Sequence, residues 1–394
     1  MPNPPAIRAE LLGRRFAFQA DSSLFSADRV DDGTRLLLDA LPPSLPASVL
    51  DMGCGYGALG LPVAARHPNA ACLLVDRNTL AVEYARRNAA FHALPNVDAR
   101  PSLGYRDLGP RQFDWVLCNV PARIGEAGVR YLLGAGASRL ETGGELRAVV
   151  IRDLRPTVER VAAERGWPLQ LHAEAARHAV YGLPPLGAAG LDEGGGDHEA
   201  LYLRDRVWVG NLELQRPHDI SEEPAHLTTA LPLLMELLPQ KVPGSAFVWK
   251  GAYGAAALAL ASRADRVIAA DPDLLATTYV RRNAEAAGRR TVETRDAFSL
   301  RPALRPEERF RAFVGELRPG RDALELEDEL VASAQALEPG GSALWLGLTG
   351  QGRTLLARMA NSKEAAATPV ASRGAYTVWR VRAVQPARRA GKKT

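Results

Sequence analysis

Apolar runs in the first half of the chain end abruptly on polar residues, and that pattern predicts buried strands emptying into functional loops. Val49 to Met52 runs into Gly53-Cys54-Gly55-Tyr56-Gly57, and Leu73-Leu74-Val75 stops at Asp76. A later run, Phe113 to Cys118, stops at Asn119-Val120-Pro121-Ala122. Short apolar runs bounded by glycine and turn residues fit strands buried on both faces, as in a parallel sheet. The glycines let the backbone turn sharply and leave room for a ligand that a Cβ would exclude. A helix is expected to open behind them, over Ala58 to Ala65, with its first N–H groups free.

The pattern outlines a nucleoside pocket. An acid about twenty residues beyond such a loop accepts hydrogen bonds from ribose hydroxyls, and Asp76 stands at that spacing. The glycine spacing admits a dinucleotide as well as S-adenosylmethionine. Asp51 favours the second, because a carboxylate there repels a pyrophosphate but suits the cationic methionine end of S-adenosylmethionine. A strand-end aspartate is also a common helix-entry cap, so Asp51 has a structural reading beside the functional one.

The second half repeats the first. Phe247 to Ala255 aligns with Leu50 to Ala58, Gly254 falling 197 residues after Gly57. Leu237-Leu238-Pro239, Phe310 and Gly340-Gly341 match Ala40-Leu41-Pro42, Phe113 and Gly143-Gly144 at the same offset, while Asp271 and Tyr279 to Ala284 match Asp76 and Tyr84 to Ala89 two residues closer. The copies differ where chemistry is expected: Asp51, Gly53 and Gly55 become Val248, Lys250 and Ala252, and Asn119 and Pro121 become Glu316 and Arg318. Two domains in tandem are expected, the second degenerate. The expected boundaries are 1–188 for the cofactor-binding domain, 189–204 for a Gly-rich linker, 205–385 for the degenerate copy and 386–394 for a basic tail.

At Asp51 to Gly57, Asp76 and Asn119 to Ala122 the chain resembles class I S-adenosylmethionine-dependent methyltransferases. Leu24 to Thr34, followed by Leu36-Leu37-Leu38, is similar to the segment before the first strand in the bacterial small-subunit ribosomal RNA guanine-N2 methyltransferases, a resemblance that covers about residues 15 to 185. It implies an α/β fold of two tandem Rossmann-like domains, each a mostly parallel doubly wound sheet. It implies S-adenosylmethionine held by Asp51, Gly53, Cys54, Gly55, Tyr56, Gly57, Asp76, Arg77, Ser102 and Asn119. It also implies catalysis by Asn119, the Val120 carbonyl and Pro121, with Phe25, Asp31 and Ala122 toward the substrate. Gly33 and Thr34 are expected near the cofactor mouth.

Two departures stand out. The family reads Asn-Pro-Pro-aromatic where this chain has Asn119-Val120-Pro121-Ala122, so a stacking ring is missing; Phe25 and Tyr105 are the candidate replacements. In the family the degenerate copy comes first, whereas here the intact glycine loop is in the first half. Alternatives therefore stay open: methylation of a small-molecule or protein amine or amide, or a non-catalytic S-adenosylmethionine-binding RNA-associated protein.

Composition adds limits. The 394 residues, 46% hydrophobic, suffice for two ordinary cores. Cys54, Cys72 and Cys118 have no framework spacing and read as core thiols of a reduced compartment. The seven histidines show no metal-like spacing. No apolar run is long enough to span a bilayer, and Met1 to Arg15 lacks the apolar core of a signal peptide, so a cytoplasmic, metal-free, monomeric protein is expected. A net charge of +4 permits RNA binding without demanding it. Pro386 to Thr394 reads as a basic tail able to follow phosphates or simply to solubilise the terminus.

Overall fold

The computed structural model describes residues 7–191, 198–218, 220, 225–318, 323–359, 362 and 364–384. Part of the expected Gly-rich linker and all of the expected basic tail lie outside them. The chain divides into two compact units, one of Met1–Arg206, Gln215–Ile220 and Pro272–Thr278 and the other of Val207–Leu214, Ser221–Asp271 and Tyr279–Thr394.

The first unit begins with a hairpin, β1 (Ile7–Leu11) and β2 (Arg14–Phe18), followed by α1 (Asp32–Asp39). Its sheet uses β3 (Ser48–Met52), β4 (Ala71–Asp76), β5 (Val97–Pro101), β6 (Phe113–Asn119), β7 (Leu140–Ile151), β8 (Gln170–Glu174) and β9 (His178–Leu183) in the order β5-β4-β3-β6-β7-β9-β8. The strands from β3 to β7 pair in parallel, and β9 and β8 add antiparallel pairs at one edge. The connecting helices are α2 (Gly60–Arg66), α3 (Thr79–Phe91), α4 (Gly125–Ala137) and α5 (Arg155–Arg165). Strand order reverses at β3, flanked by β4 and β6, and such a switch point opens a crevice at the strands' carboxyl ends. Asp51, Asp76 and Asn119, the residues that end the apolar runs, all stand there.

A second hairpin, β10 (Leu203–Val209) and β11 (Leu212–Pro217), turns through Gly210 at φ 61°, as the first turns through Gly13 at φ 76°. The second half of the chain then has α6 (Leu231–Leu237), β12 (Val242–Trp249), α7 (Ala255–Ala261), β13 (Ala264–Asp271), α8 (Leu274–Ala286), β14 (Val292–Asp296), α9 (Leu300–Ala303), β15 (Phe310–Glu316), α10 (Ala323–Gln335), β16 (Leu337–Leu348), α11 (Thr349–Met359), β17 (Ala365–Arg373) and β18 (Tyr376–Ala383). Its sheet, β14-β13-β12-β15-β16-β18-β17, has the topology of the first. The duplication therefore extends from the hairpin to the last strand.

One expectation needs correcting. The helix behind the glycine loop starts at Gly60 rather than Ala58, and its Gly60 N–H donates to Asp51 at 2.8 Å. A buried aspartate supplied by β3 has claimed the first helical donor, so the loop backbone, not the helix end, faces the crevice.

Candidate active site

A cavity of about 830 Å³ opens at the switch point. It is lined by Phe25, Asp31, Asp51, Gly53, Cys54, Gly55, Tyr56, Asp76, Arg77, Ser102 and Asn119 to Ala122. Of the residues singled out from sequence, Gly57 is outside this lining: its Cα backs onto Leu61, which a Cβ would meet at 2.7 Å. Its work is to close the turn.

The cradle is built by backbone. Gly53 and Cys54 donate to the Val75 carbonyl at 2.9 and 3.0 Å, and Gly55 donates to Asp76 Oδ2 at 2.9 Å. Gly53 and Gly55 have φ of 78° and 54°, and a Cβ on either would stand in open space. The loop thus presents bare backbone to the cavity, as a close-fitting ligand requires.

A buried carboxylate, Asp51, and a half-buried one, Asp76, flank the loop. Asp51 Oδ2 caps Gly60, while Oδ1 is buried without a hydrogen-bond partner. Burial foremost, then the charge of Asp76, pushes the Asp51 carboxyl from 3.8 up to about 7, although the Gly60 bond opposes the shift. Asp51 therefore caps the helix through one oxygen and keeps an unpartnered acceptor on the other. Burial also raises the Asp76 carboxyl, against hydrogen bonds from Asn78 and Gly55. Each Asp76 oxygen already takes one backbone N–H and keeps lone-pair capacity for a further donor.

Asn119 is held in one orientation. Its Nδ2 donates to Asp31 Oδ2 at 3.1 Å and lies 3.2 Å from Thr34 Oγ1. A carboxylate only accepts, so the amide nitrogen must face Asp31, leaving the Asn119 carbonyl oxygen as the acceptor available beside Val120. Asp31 Oδ2 also caps α1 by accepting from Gly33 at 3.0 Å and Thr34 at 3.2 Å. Gly33 is needed because a Cβ there would come within 2.8 Å of Asp31 Oδ2 and 2.9 Å of His178. The Asp31-x-Gly33-Thr34 motif thus acts through the acceptor asparagine, 88 residues away. Tyr56 binds this upstream segment to the glycine loop, its hydroxyl 3.2 Å from the carbonyls of Ser26 and Arg29.

The two candidate stacking rings separate. Tyr105 is buried and its hydroxyl donates to the Leu132 carbonyl at 2.8 Å, so it cannot replace the missing aromatic. Phe25 lines the cavity and is 72% exposed. Ala122 lines the cavity without a ring. Ser102 has committed its proton to the Gly104 carbonyl at 2.6 Å and can only accept further bonds.

Several residues at the site were not anticipated. His178, at the start of β9, packs on Gly33 and lines the cavity. Arg123, Arg152 and Arg177 line its mouth; all three are exposed and, among the described residues, none has an ion pair. Asn88 donates to the Tyr56 carbonyl at 2.9 Å, and its counterpart Asn283 donates to that of Tyr253 at 2.8 Å. That pair had a signal, the repeated Tyr-x-Arg-Arg-Asn-Ala, whereas the arginines had none.

The sequence model of the methyltransferase small domain family matches residues 15–164. The uncharacterised protein YbxB of Bacillus subtilis is 34% identical over 142 residues, 36% of this chain and 71% of that protein. The chain belongs to the methyltransferase small domain family. Ribosomal RNA small subunit methyltransferase C of Erwinia tasmaniensis is 35% identical over 130 residues, and ribosomal RNA large subunit methyltransferase G of Shewanella amazonensis is 40% identical over 111. These matches cover 32% and 27% of this chain and span 37% and 28% of the two relatives' lengths. A T. thermophilus 16S rRNA N2 methyltransferase, solved with AdoMet and guanosine, superposes with a TM-score of 0.66 at 18% identity, covering 96% of this chain and 98% of that one. At that identity the superposition establishes the fold, two tandem Rossmann-like domains, over nearly the whole family member.

The second domain shows what becomes of this site without its glycines. Lys250 and Ala252 keep the left-handed backbone of Gly53 and Gly55, at φ 58° and 47°. Lys250 N–H still donates to the Ala270 carbonyl, as Gly53 does to Val75. Its side chain is buried, Nζ 2.7 Å from Glu329. Arg318, in the place of Pro121, pairs with Asp271, in the place of Asp76. Among the described residues no cluster of three or more potential metal ligands occurs, and no helix is long and apolar enough to cross a membrane.

Proposed function

We propose that the protein is an S-adenosylmethionine-dependent methyltransferase acting on the exocyclic amine, N2, of guanine in small-subunit ribosomal RNA, with the first domain catalytic and the second supporting the substrate. The observation that carries the reading is the fixed Asn119: with its Nδ2 turned to Asp31 and Thr34, its oxygen and the Val120 carbonyl form a pair of acceptors suited to an amine.

The site fits the donor. A partnerless buried oxygen on Asp51 meets the need of an α-ammonium group, Asp76 can accept from ribose hydroxyls, and the bare loop admits the nucleoside closely. S-adenosylmethionine supplies an already activated methyl group, so this chain's residues need only align the nucleophile. A guanine amine is weakly nucleophilic because its lone pair is delocalised into the ring. Hydrogen bonds accepted from its two N–H groups by Asn119 Oδ1 and the Val120 carbonyl turn that lone pair out of conjugation and fix its direction. Phe25 offers a face for the base, and Arg123, Arg152 and Arg177 face the phosphates around it. The names of the ribosomal RNA relatives support ribosomal RNA as the substrate class, one naming the small subunit and the other the large.

The test is transfer of labelled methyl groups to ribosomal subunits lacking native modifications, with nucleoside mass spectrometry of the product. N2-methylguanosine from small subunits, lost with Asn119→Ala, is the expected result. Label confined to protein or small molecules, or donor binding without turnover, would replace this reading with one of the alternatives.

A further inference from the structure

A second cleft, of about 790 Å³, lies within the second unit, where β12, β15 and β16 begin and β18 ends. In open α/β sheets ligands bind at the strands' carboxyl ends, so this cleft is at the opposite edge from any remnant of the duplicated nucleoside site. Its charged lining is Lys241, Arg311, Arg380 and Arg382 against the single carboxylate of Glu338. Lys241 and Arg382 are exposed.

Elsewhere in the unit Arg263 and Arg309 reach only carbonyls, while other arginines are ion-paired. Arg266, Arg295, Arg301 and Arg373 each meet a carboxylate: Glu293, Glu308, Asp328 and Glu236 respectively. Among the described residues none of the four cleft cations has an ion pair. Arg311 reaches only the Pro339 carbonyl, at 2.9 Å, and Arg380 Nε is buried with no hydrogen-bond partner. Concentrating like charges around a concave surface is unfavourable in the absence of an anion, and a buried guanidinium nitrogen without an acceptor adds a desolvation cost. A phosphate group removes both costs, because guanidinium forks match its oxygens in geometry and charge.

We infer that this cleft binds the phosphodiester backbone of RNA, making the second unit a docking site rather than a vestige. The choice of RNA over a free phosphate rests on the function proposed above and on the open cleft with cations distributed around it, which suits a chain of phosphates. It explains a division in the duplicated domain: one end of the sheet has filled its old site with its own ion pairs, while the other end presents unpaired cations.

The experiment measures binding of a fluorescently labelled ribosomal RNA hairpin to the full chain by anisotropy over a salt series. The cleft variant is Lys241→Gln/Arg382→Gln, both exposed positions; the charge-matched control is Arg281→Gln/Arg301→Gln, which removes two ion-paired surface arginines. Losing two phosphate contacts should lower the slope of log affinity against log salt by about 1.4, at roughly 0.7 per contact, and weaken binding about tenfold at low salt. The control should stay within about twofold of wild type, as expected for net charge alone. Adding Arg380→Gln should deepen the loss, with S-adenosylmethionine affinity unchanged. Equal losses in cleft variant and control, or none in either, would overturn the assignment. So would saturation of the cleft by inorganic pyrophosphate that fails to compete with RNA. If wild type methylates ribosomal RNA while the cleft variants bind it normally, the docking site is wrong and the function stands; if wild type neither binds nor methylates RNA, both fall.

Discussion

Asp51→Asn is expected to separate two quantities that usually move together, stability and cofactor affinity. Burial raises the Asp51 carboxyl from 3.8 to about 7, a difference of about three pK units, or roughly 4 kcal/mol at about 1.36 per unit. The folded pKa lies above the unfolded one, so between about pH 4 and about pH 7 the native state holds a proton that the unfolded chain has released. Stability falls as pH rises through that window and is flat above it. Asparagine is isosteric, still accepts from Gly60 and carries no charge to desolvate, so the variant escapes the loss. Even a quarter of the full amount, about 1 kcal/mol, would raise the melting temperature of the free protein by about 2–4 °C at neutral pH, with no difference near about pH 4. Binding has the opposite sign. A cationic ligand selects the ionised carboxylate, so wild-type affinity should rise up to about tenfold per pH unit between about pH 5.5 and about pH 7, with proton release visible by calorimetry in buffers of different ionisation enthalpy. Asp76 is close enough to couple, so the midpoint belongs to the pair. The variant should bind weakly and with a flatter pH profile. Parallel stability curves for the two proteins across this range, together with pH-independent wild-type affinity, would refute the reasoning.

Three further outcomes are expected. Asp31→Ala should reduce single-turnover methyl transfer by about a hundredfold while donor affinity changes little, because it frees the Asn119 amide; Thr34→Val, which leaves the Asp31 contact, should lose less. Loss of donor binding in Asp31→Ala would instead place that residue in the cofactor site. Phe25→Ala should leave the melting temperature unaltered but raise KM for RNA by about tenfold, a stacked base contributing about 1–3 kcal/mol, and Phe25→Trp should restore it; an unchanged KM removes Phe25 from the substrate site. Lys250→Met should destabilise the second unit by about 3–5 kcal/mol in urea unfolding, because it strips Glu329 of its buried partner, whereas Lys250→Met/Glu329→Leu should recover most of the loss. A double variant as unstable as the single would argue against the ion pair as the cause.

The strands, the switch point and the duplication were legible because they rest on local patterns: apolar runs ending on polar residues, and the same runs returning 197 residues later. The positions of Asp51, Asp76 and Asn119 followed, since strand ends in a parallel sheet share one edge. What could not be read was contact between distant segments. Nothing in the spacing of Asp31 and Asn119 shows that one fixes the amide of the other. Tyr105 and Phe25 are equally aromatic on paper; only packing buries the first beneath α4 and leaves the second at the cavity. The helix start moved to Gly60 because Asp51 reaches it from β3, a contact no helix-propensity argument contains. Arg123, Arg152 and Arg177 come from three different loops, and only the folded sheet collects them.

The duplicated glycine loop shows how a fold outlasts its chemistry. Lys250 and Ala252 retain a left-handed backbone that costs L-residues about 1–2 kcal/mol each, so the loop's shape is set by the strands around it rather than by glycine. Once the glycines were replaced, the side chains needed partners. Lys250 pairs with Glu329, and Arg318 with Asp271, the counterpart of Asp76. Each ion pair satisfies a group that the first domain leaves to a ligand or that the substitution itself introduced. The two domains part at these positions: in the first, Asp51 Oδ1 is buried without a hydrogen-bond partner, whereas in the second that position is the apolar Val248 and Asp271 is paired from within by Arg318, and the cleft cations at the far end of the sheet have no ion pair among the described residues.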